Sequence, residues 1–538
     1  RGLTPLTTEP RLRALMQVLV CDNISPKGVA CLEAQSELDV TLVTSGLTDE
    51  LLANAEAVIV RSATKITPEV MDKAPKLRVV GRAGVGVDNV DVDYATNRGI
   101  VVMNTPAGNT ISTTELTFSM MMALARKIPQ AHMSMKEGKW DRKLYAGAEL
   151  SGKTLGICGM GRIGSQVARR AIAFGMRILA HDPYLSLNKA RELQVELLEL
   201  DELLGRSDFI TVHMPLTDQT RDMINAESFT KMKDGVNLIN CARGGIINEA
   251  DLVAAVNGGK VAGAALDVYE TEPCPEDSPL RAVPNIVMTP HLGASTKEAQ
   301  ESVGIEVAEG IIDFLVNGTV CNAVNMPSLD AKTYEVVKPY ILLGEKLGRL
   351  CAQLGEERND QITITYGGKA AEVPADPVTR CVLKGFLENA GGEEVNQVNV
   401  RALASSLGIT VEEVKAHEGL DYAEWMHVEV RAGESIVSAG GTFFGGQPRI
   451  VRINGRNVES AAEGVILLLN NRDKPGKVGY IGSLMGEHGV NIANMSLNRD
   501  EVGGEALTLL NLDQVPPAAL LEKLAQDPDI TNAKVVTL

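Results

Sequence analysis

The sequence predicts an α/β protein, two parallel-sheet units followed by two smaller α+β units, and three observations carry that prediction. Short β-branched runs alternate with helical patterns through the first half of the chain. A glycine-patterned turn stands between a strand run and a helix pattern at Gly159. The final stretch, 464–538, has the rhythm strand, helix, strand, strand, helix, strand.

Composition sets the frame. At 538 residues the chain exceeds what one core can serve, so roughly three or four domains are expected. Hydrophobic residues make up 44% and charged residues 22%, an ordinary globular balance. No long apolar run is free of charge, which excludes a transmembrane helix and membrane function. A net charge of -17 disfavours nucleic acid, so an anionic substrate needs a local basic pocket. The 8 cysteines lack paired metal spacing, pointing to no metal site and to a reducing compartment, cytoplasm or plastid stroma. Residues 1–13, ahead of the first strand, read as a transit-peptide remnant, a tag or a natural extension.

The first unit has strand runs at 18–20, 57–60, 77–80 and 100–102, with a helix at 68–73. A connecting helix is expected over 111–126, capped by Thr110. The second unit's strands are expected at 154–158, 177–181, 209–213, 236–240 and 261–267. A long amphipathic helix at 297–317 then returns the chain to the first unit, which lacks a closing element. From 331 the texture becomes mixed, with a strand at 361–366, a helix at 379–389 and a glycine-rich hairpin at 440–446. The last unit's elements are expected at 465–469, 476–488, 492–499, 506–512, 517–525 and 530–537. The expected domains are therefore 16–112 with 297–330, 113–296, 331–458 and 464–538, with 452–461 as a hinge between the last two.

The sequence Gly159-Met160-Gly161-Arg162-Ile163-Gly164 follows a strand and opens a helix. Its first Gly permits a tight turn, its second lets the backbone approach a pyrophosphate, and its third lets helix and strand pack closely, the logic of a Rossmann-type nucleotide site. Asp182, at the next strand end, suits a ribose, and no Arg follows closely to accept a 2′-phosphate, so NAD is favoured over NADP. Arg243, Glu272 and His291 each lie just past a strand, where ligands of open α/β sheets bind. His291 suits a general base for a hydroxyl proton, Glu272 suits the group that orients it, and Arg243 suits a clamp for a carboxylate. Singly, each has a bland alternative: a surface ion pair, a solvated loop acid or a satisfied polar residue. Together they favour catalysis.

These features, with Val60-Arg61-Ser62-Ala63-Thr64, Gly81-Arg82-Ala83-Gly84-Val85-Gly86-Val87-Asp88-Asn89, Asn104-Thr105-Pro106 and Pro290-His291-Leu292-Gly293-Ala294, resemble the D-2-hydroxyacid dehydrogenase superfamily. Over 16–538 the resemblance extends to its long-form phosphoglycerate dehydrogenase branch. It implies a flavodoxin-like substrate domain beside the Rossmann-type domain, and NAD-dependent oxidation of 3-phospho-D-glycerate to 3-phosphohydroxypyruvate, the first step of the phosphorylated route to L-serine. It places Arg243, Glu272 and His291 in catalysis, and NAD contacts on Val85, Gly159, Gly161, Arg162, Ile163, Gly164, Asp182, Met214, Cys241, Ala242, Asp267, Leu292, Gly293 and Ala294. Substrate contacts fall on Arg61, Ser62, Arg82 and Gly84, and on Arg142 and Lys143 from a segment that reaches a partner subunit, implying a homodimer or homotetramer. The last unit resembles an ACT domain, with Asn471, Asp473 and Asn491 where relatives bind serine, and 331–458 resembles an intervening domain that takes an anionic ligand. Two other readings stay open: a glyoxylate or hydroxypyruvate reductase of the same superfamily, and a NAD-sensing binding protein.

Overall fold

The computed structural model describes residues 15–327, 329, 331–355, 359–388, 395–416 and 422–538. The 1–13 segment and the end of the expected 379–389 helix lie outside the described residues. The first sheet carries β1 (Met16–Val20), β2 (Leu38–Leu42), β3 (Ala55–Val60), β4 (Val79–Arg82) and β5 (Val101–Met103), parallel in the order β2-β1-β3-β4-β5. β5 is buried throughout and β3 nearly so, as parallel strands covered on both faces must be. Part of that cover comes from far along the chain. The Lys297–Ile312 helix, capped by the Thr296 hydroxyl, sets Val303, Val307, Ala308 and Ile311 into the core beside Val18, Val20 and Ile59. It meets the Pro26–Glu33 helix so closely that a Cβ added to Gly28 would lie 2.2 Å from the carbonyl oxygen of Gly304.

The second sheet holds β6 (Thr154–Cys158), β7 (Arg177–His181), β8 (Glu196–Leu197), β9 (Phe209–Val212), β10 (Val236–Asn240), β11 (Val261–Leu266) and β12 (Ile286–Met288). All are parallel, in the order β12-β11-β10-β9-β6-β7-β8. The strand order reverses between β6 and β9, which opens a crevice at their carboxyl ends. The connecting helix spans Thr110–Arg126, and Met120, Met121 and Leu124 bury against Leu155 and Ile157. Thr110 is not its cap. Asn109 holds that position without a side-chain bond, and the Thr110 carbonyl accepts the Thr114 hydroxyl inside the helix.

The third unit begins with a 24-residue helix, Ala331–Leu354, that the sequence pattern hides behind Pro339, Gly344 and Gly348. Those glycines serve packing. A Cβ on Gly348 would lie 2.0 Å from Val382 O, and one on Gly385 would lie 2.0 Å from Glu345 O, so this helix and Ala375–Leu387 touch backbone to backbone. They cover one face of a sheet of β13 (Gln361–Gly368), β14 (Thr410–Ala416), β15 (Glu424–Ala432), β16 (Ser435–Phe444), β17 (Gln447–Ile453) and β18 (Arg456–Ala461), ordered β14-β13-β15-β16-β17-β18.

The fourth unit is an antiparallel sheet of β19 (Val465–Arg472), β20 (Ile492–Arg499), β21 (Glu505–Leu512) and β22 (Ile530–Thr537), ordered β20-β21-β19-β22. Helices Lys477–Glu487 and Ala518–Ala525 cover the face bearing Leu467, Leu469, Leu510 and Leu512. The opposite face, Ile466, Leu468, Leu507 and Leu509, joins the third unit's core. The Gln353 side-chain amide both donates to Thr537 O and accepts from Thr537 N–H at 2.9 Å, capping the edge of β22. The expected hinge at 452–461 is corrected: it forms the β17–β18 hairpin, where Ile453 pairs with Arg456 and Ser460 donates to Asn511 of β21, so its backbone is committed. Among the described residues no helix is long and apolar enough to cross a membrane, and no side-chain group is arranged to hold a metal ion.

The contact between Gly28 and Gly304 gives a direct test. Gly28→Val forces the two helices apart and should destabilise the protein by about 1–3 kcal/mol, read as a lower thermal midpoint. An unchanged midpoint would mean that these helices are not packed backbone to backbone.

Candidate active site

The glycine turn follows β6. Gly159 has φ +95, and a Cβ there would meet His213 O at 2.4 Å, while one on Gly164 would meet Gly159 O at 2.0 Å. Gly161 alone has nothing within 4 Å of its Cβ position, so the turn is closed on the protein side and open at the mouth of the Arg162–Ala173 helix. That cradle fits a pyrophosphate. The Asp182 carboxylate, just past β7, accepts Met160 N–H at 2.7 Å and Tyr184 N–H at 2.8 Å, tying the end of β7 to the turn. Arg162 is exposed at the helix start, Ile163 and Met214 are half-buried, and Met214 packs on the core of its own sheet. His213, missed by the sequence reading, is half-buried beside the turn, accepts or donates at Thr211, and is held neutral by its desolvated setting, its pKa pushed down to about 4.

Past β11 and β12 lies a second cluster. Asp267 is fully buried, and its carboxylate accepts the Thr289 hydroxyl at 2.6 Å, Leu292 N–H at 2.7 Å and Gly293 N–H at 2.9 Å. Burial holds its carboxyl above the ordinary value despite those bonds and the charge of His291. This anchor fixes the 291–294 loop, which Ser112 and Thr113 also hold by donating to Gly293 O. His291 takes the left-handed conformation, φ +52, and its Nδ1 stands 2.7 Å from Glu272 Oε2. The other Glu272 oxygen accepts Tyr269 N–H at 3.1 Å. Burial pushes the Glu272 carboxyl up, but the bond and charge of His291, the Tyr269 amide and the charge of Arg243 outweigh it and leave it below the ordinary range. Cys241 is buried just past β10, its thiol pushed up to about 12 by burial and then by Asp267, and neighbouring Ala242 donates its N–H to Asn240 Oδ1.

Arg243 reaches across to the first sheet, its Nε 3.2 Å from Asp88 Oδ2. Arg82 sits near it, with a buried Nε that has no hydrogen-bond partner. Burial, then the charges of Arg243 and Arg61, push the Arg82 guanidinium down to about 10 against the pull of Asp88 and Asp22. Two glycines make room: a Cβ on Gly84 would fall 1.6 Å from the Arg82 guanidinium, and one on Gly86 would fall 1.8 Å from that of Arg243. Arg61 and Ser62 line a cleft of about 590 Å³ with Asp22, Asn23 and Thr64. Asp22 accepts Arg61 N–H at 2.8 Å, Thr64 N–H at 2.9 Å and the Thr64 hydroxyl at 2.6 Å, and Asn89 donates to the carbonyls of Arg61 and Thr64. Sequence reasoning missed Asp22, although an aspartate directly past a strand is a signal it could have weighed. Cationic side chains from β3, β4 and β10 thus converge, together with the His291–Glu272 pair.

Other expected residues stand elsewhere. Arg142 and Lys143 are exposed, and among the described residues neither makes a hydrogen bond or ion pair. Asn471 stands inside β19, which runs past the expected 465–469: period-two alternation puts it with Leu467 and Leu469 on the helix-covered face, buried and accepting the Thr508 hydroxyl at 2.8 Å. Asp473 pairs with Arg499 at 2.6 Å, and Asn491 donates to Asp513 at 2.8 Å.

The space at Gly86 is a strict requirement for the present position of Arg243. Gly86→Ala should displace the Arg243 guanidinium and cut turnover by about a hundredfold, since an ångström of misplacement suffices, with the fold retained by circular dichroism. Wild-type turnover would show that Arg243 does not need its present position.

Comparison with known proteins follows the same layout. The NAD binding domain of D-isomer specific 2-hydroxyacid dehydrogenases matches residues 118–293, the D-3-phosphoglycerate dehydrogenase intervening domain matches 336–454, and the ACT domain matches 465–529. The D-3-phosphoglycerate dehydrogenase of Archaeoglobus fulgidus is 43% identical over 97% of this chain and 100% of its own length, and that of Bacillus subtilis is 41% identical over 97% and 100%. The structure of D-lactate dehydrogenase from Aquifex aeolicus, complexed with NAD and lactic acid, superposes with a TM-score of 0.51 at 32% identity, covering 58% of this chain and all of its own. The chain therefore belongs to the D-3-phosphoglycerate dehydrogenase family and is an NAD-dependent oxidoreductase of the D-2-hydroxyacid class.

Proposed function

We propose that the cleft oxidises 3-phospho-D-glycerate to 3-phosphohydroxypyruvate, the first step of the phosphorylated route to serine, with His291, Glu272 and Arg243 as its catalytic set. The single observation that carries these roles is the His291–Glu272 contact beside the gathered arginines. With Nδ1 engaged by the Glu272 carboxylate, Nε2 is the ring atom that takes the proton from the substrate hydroxyl. Arg243 grips the substrate carboxylate and polarises the carbonyl as it forms. Arg82, Arg61, Ser62 and the Gly84 backbone bind the rest of the anion, Arg82 through its unpartnered Nε. When bound, NAD supplies the hydride acceptor. The residues that hold it are Gly159, Gly161, Arg162, Ile163 and Gly164 at the pyrophosphate, Asp182 at the ribose, and Val85, Met214, Cys241, Ala242, Asp267, Leu292, Gly293 and Ala294 around the remainder.

His291→Asn should leave NADH binding near wild type while turnover falls by about a hundredfold or more. Near-normal turnover would remove His291 from the mechanism.

Arg142 and Lys143 serve the cleft of a partner subunit in a dimer or tetramer, a reading supported by the exposure of Trp140 beside them, 74% accessible in the single chain. The ACT domain takes an amino-acid effector, and the proposed effector is L-serine, held near Asp473 and Asn491 at the paired ends of that domain. The relatives compared above are an archaeon and a bacterium, which lends nothing to a plastid, and the cytoplasm is the compartment proposed. Calorimetry of the full chain with serine should show saturable binding at or below millimolar concentration, lost in Asn491→Ala. No binding to the intact protein would leave the domain without this effector.

A further inference from the structure

The segment leaving the catalytic half runs along the open edge of β5. Asn104 N–H donates to Asn322 O at 3.1 Å, Ala323 bridges Met103, and Val324 N–H donates to Val102 O at 2.8 Å. Asn325 completes the fastening: its side-chain oxygen accepts Val102 N–H, and its amide donates to Thr96 Oγ1 and Ile100 O. This strap leads directly into the Ala331–Leu354 helix, around which both regulatory units pack.

The intervening domain grips the same strand from its other end. Asn396 donates to Gly99 O at 2.9 Å, and the fit is tight, because a Cβ on Gly99 would lie 2.2 Å from the Asn396 amide nitrogen. Val398, two residues on, is buried in the hydrophobic core of the first sheet. Arg380 holds this loop by donating to Gln397 O and Val398 O. The segment leading out of the catalytic half and the 396–398 loop of the intervening domain therefore meet on the short stretch 99–104.

What β5 delivers next is Asn104 and Thr105. The Asn104 amide donates to Val85 O at 2.6 Å, and Thr105 N–H donates to Gly84 O at 2.9 Å. These bonds clamp the backbone that makes room for Arg82 at Gly84 and leads to Asp88, the partner of Arg243. The strap has a second attachment, since the Asn322 amide donates to Glu306 at 3.2 Å.

We infer that Asn104 is a positioning residue for the dehydrogenase cleft, clamping the Gly84–Val85 backbone that seats the substrate-binding arginines, and that the 322–325 strap sets its position from the regulatory half. The inference rests on the cleft assignment proposed above. Asn104 touches no reacting atom; it acts through the loop.

The test uses the full-length enzyme and initial-rate kinetics. Asn104→Asp is nearly isosteric but cannot donate to Val85 O, so it and Asn104→Ala should each raise KM for phosphoglycerate about tenfold or more, with kcat changed less than threefold and the thermal midpoint unmoved. Asn104→Ser, which keeps a short donor, should recover part of the loss. Asn325→Ala, remote from the cleft, should shift KM in the same direction by a smaller factor. Unchanged KM in Asn104→Asp, or a KM rise matched by a falling thermal midpoint, would overturn the positioning role. An Asn325→Ala variant kinetically identical to wild type would overturn the strap. A misassigned cleft shows separately, because His291→Asn would then keep its turnover whatever the Asn104 variants do.

Discussion

Three guanidinium groups held together at the edge of two sheets are the constraint on which the site depends. Burial, and then the charges of Arg243 and Arg61, weaken the hold of Arg82 on its proton, with Asp88 and Asp22 pulling the other way. Such a cluster is costly to fold around and becomes favourable when an anion fills it. The chain meets the cost with rigid backbone. Gly84 and Gly86 give up their Cβ atoms to the guanidinium groups, Asp22 and Asn89 pin the 61–64 loop, and Asn104 and Thr105 hold the backbone between. In a chain of net charge -17, this local concentration of positive charge supports the proposed binding of a phosphorylated acid.

The fold supplies the convergence. Residues just past the strands of the two parallel sheets meet at the Asp88–Arg243 ion pair, and two long helices, Thr110–Arg126 and Lys297–Ile312, connect the units carrying those sheets. The Asp88–Arg243 ion pair bridges the two, so any change in their mutual position bears on the arginine cluster first. Downstream, the Ala331–Leu354 helix lies in a core shared by the third and fourth units, and Gln353 fastens its end to β22. The third and fourth units therefore share one core, and contacts on the first sheet are made at β5 rather than through a hinge at 452–461.

What the sequence disclosed was what depends on local pattern. The Gly159–Gly164 turn, Asp182 and the three residues past strand ends could be read because period, turn chemistry and spacing act within one or two elements. The pairing of His291 with Glu272 was anticipated from chemistry, but its Nδ1 geometry depends on the tertiary anchor at Asp267. Asp22 and His213 escaped notice, and Asn104 was read only as part of a motif, because their contacts are with distant segments. The Ala331–Leu354 helix was hidden because Gly344 and Gly348 look like helix breakers, whereas they are the close-packing surface against Ala375–Leu387. Asn471 falls inside β19 because that strand runs on to Arg472, beyond the 469 boundary expected from the apolar run.

In the proposed function the arginine cluster selects a phosphorylated hydroxy acid for NAD-dependent oxidation. NADH formation measured with 3-phosphoglycerate and with glycerate, which lacks only the phosphate, tests it most directly. The account predicts kcat/KM for phosphoglycerate higher by about a hundredfold or more, as loss of a charge-assisted multidentate contact implies. Equal values for the two substrates, or oxidation of glycerate alone, would contradict it.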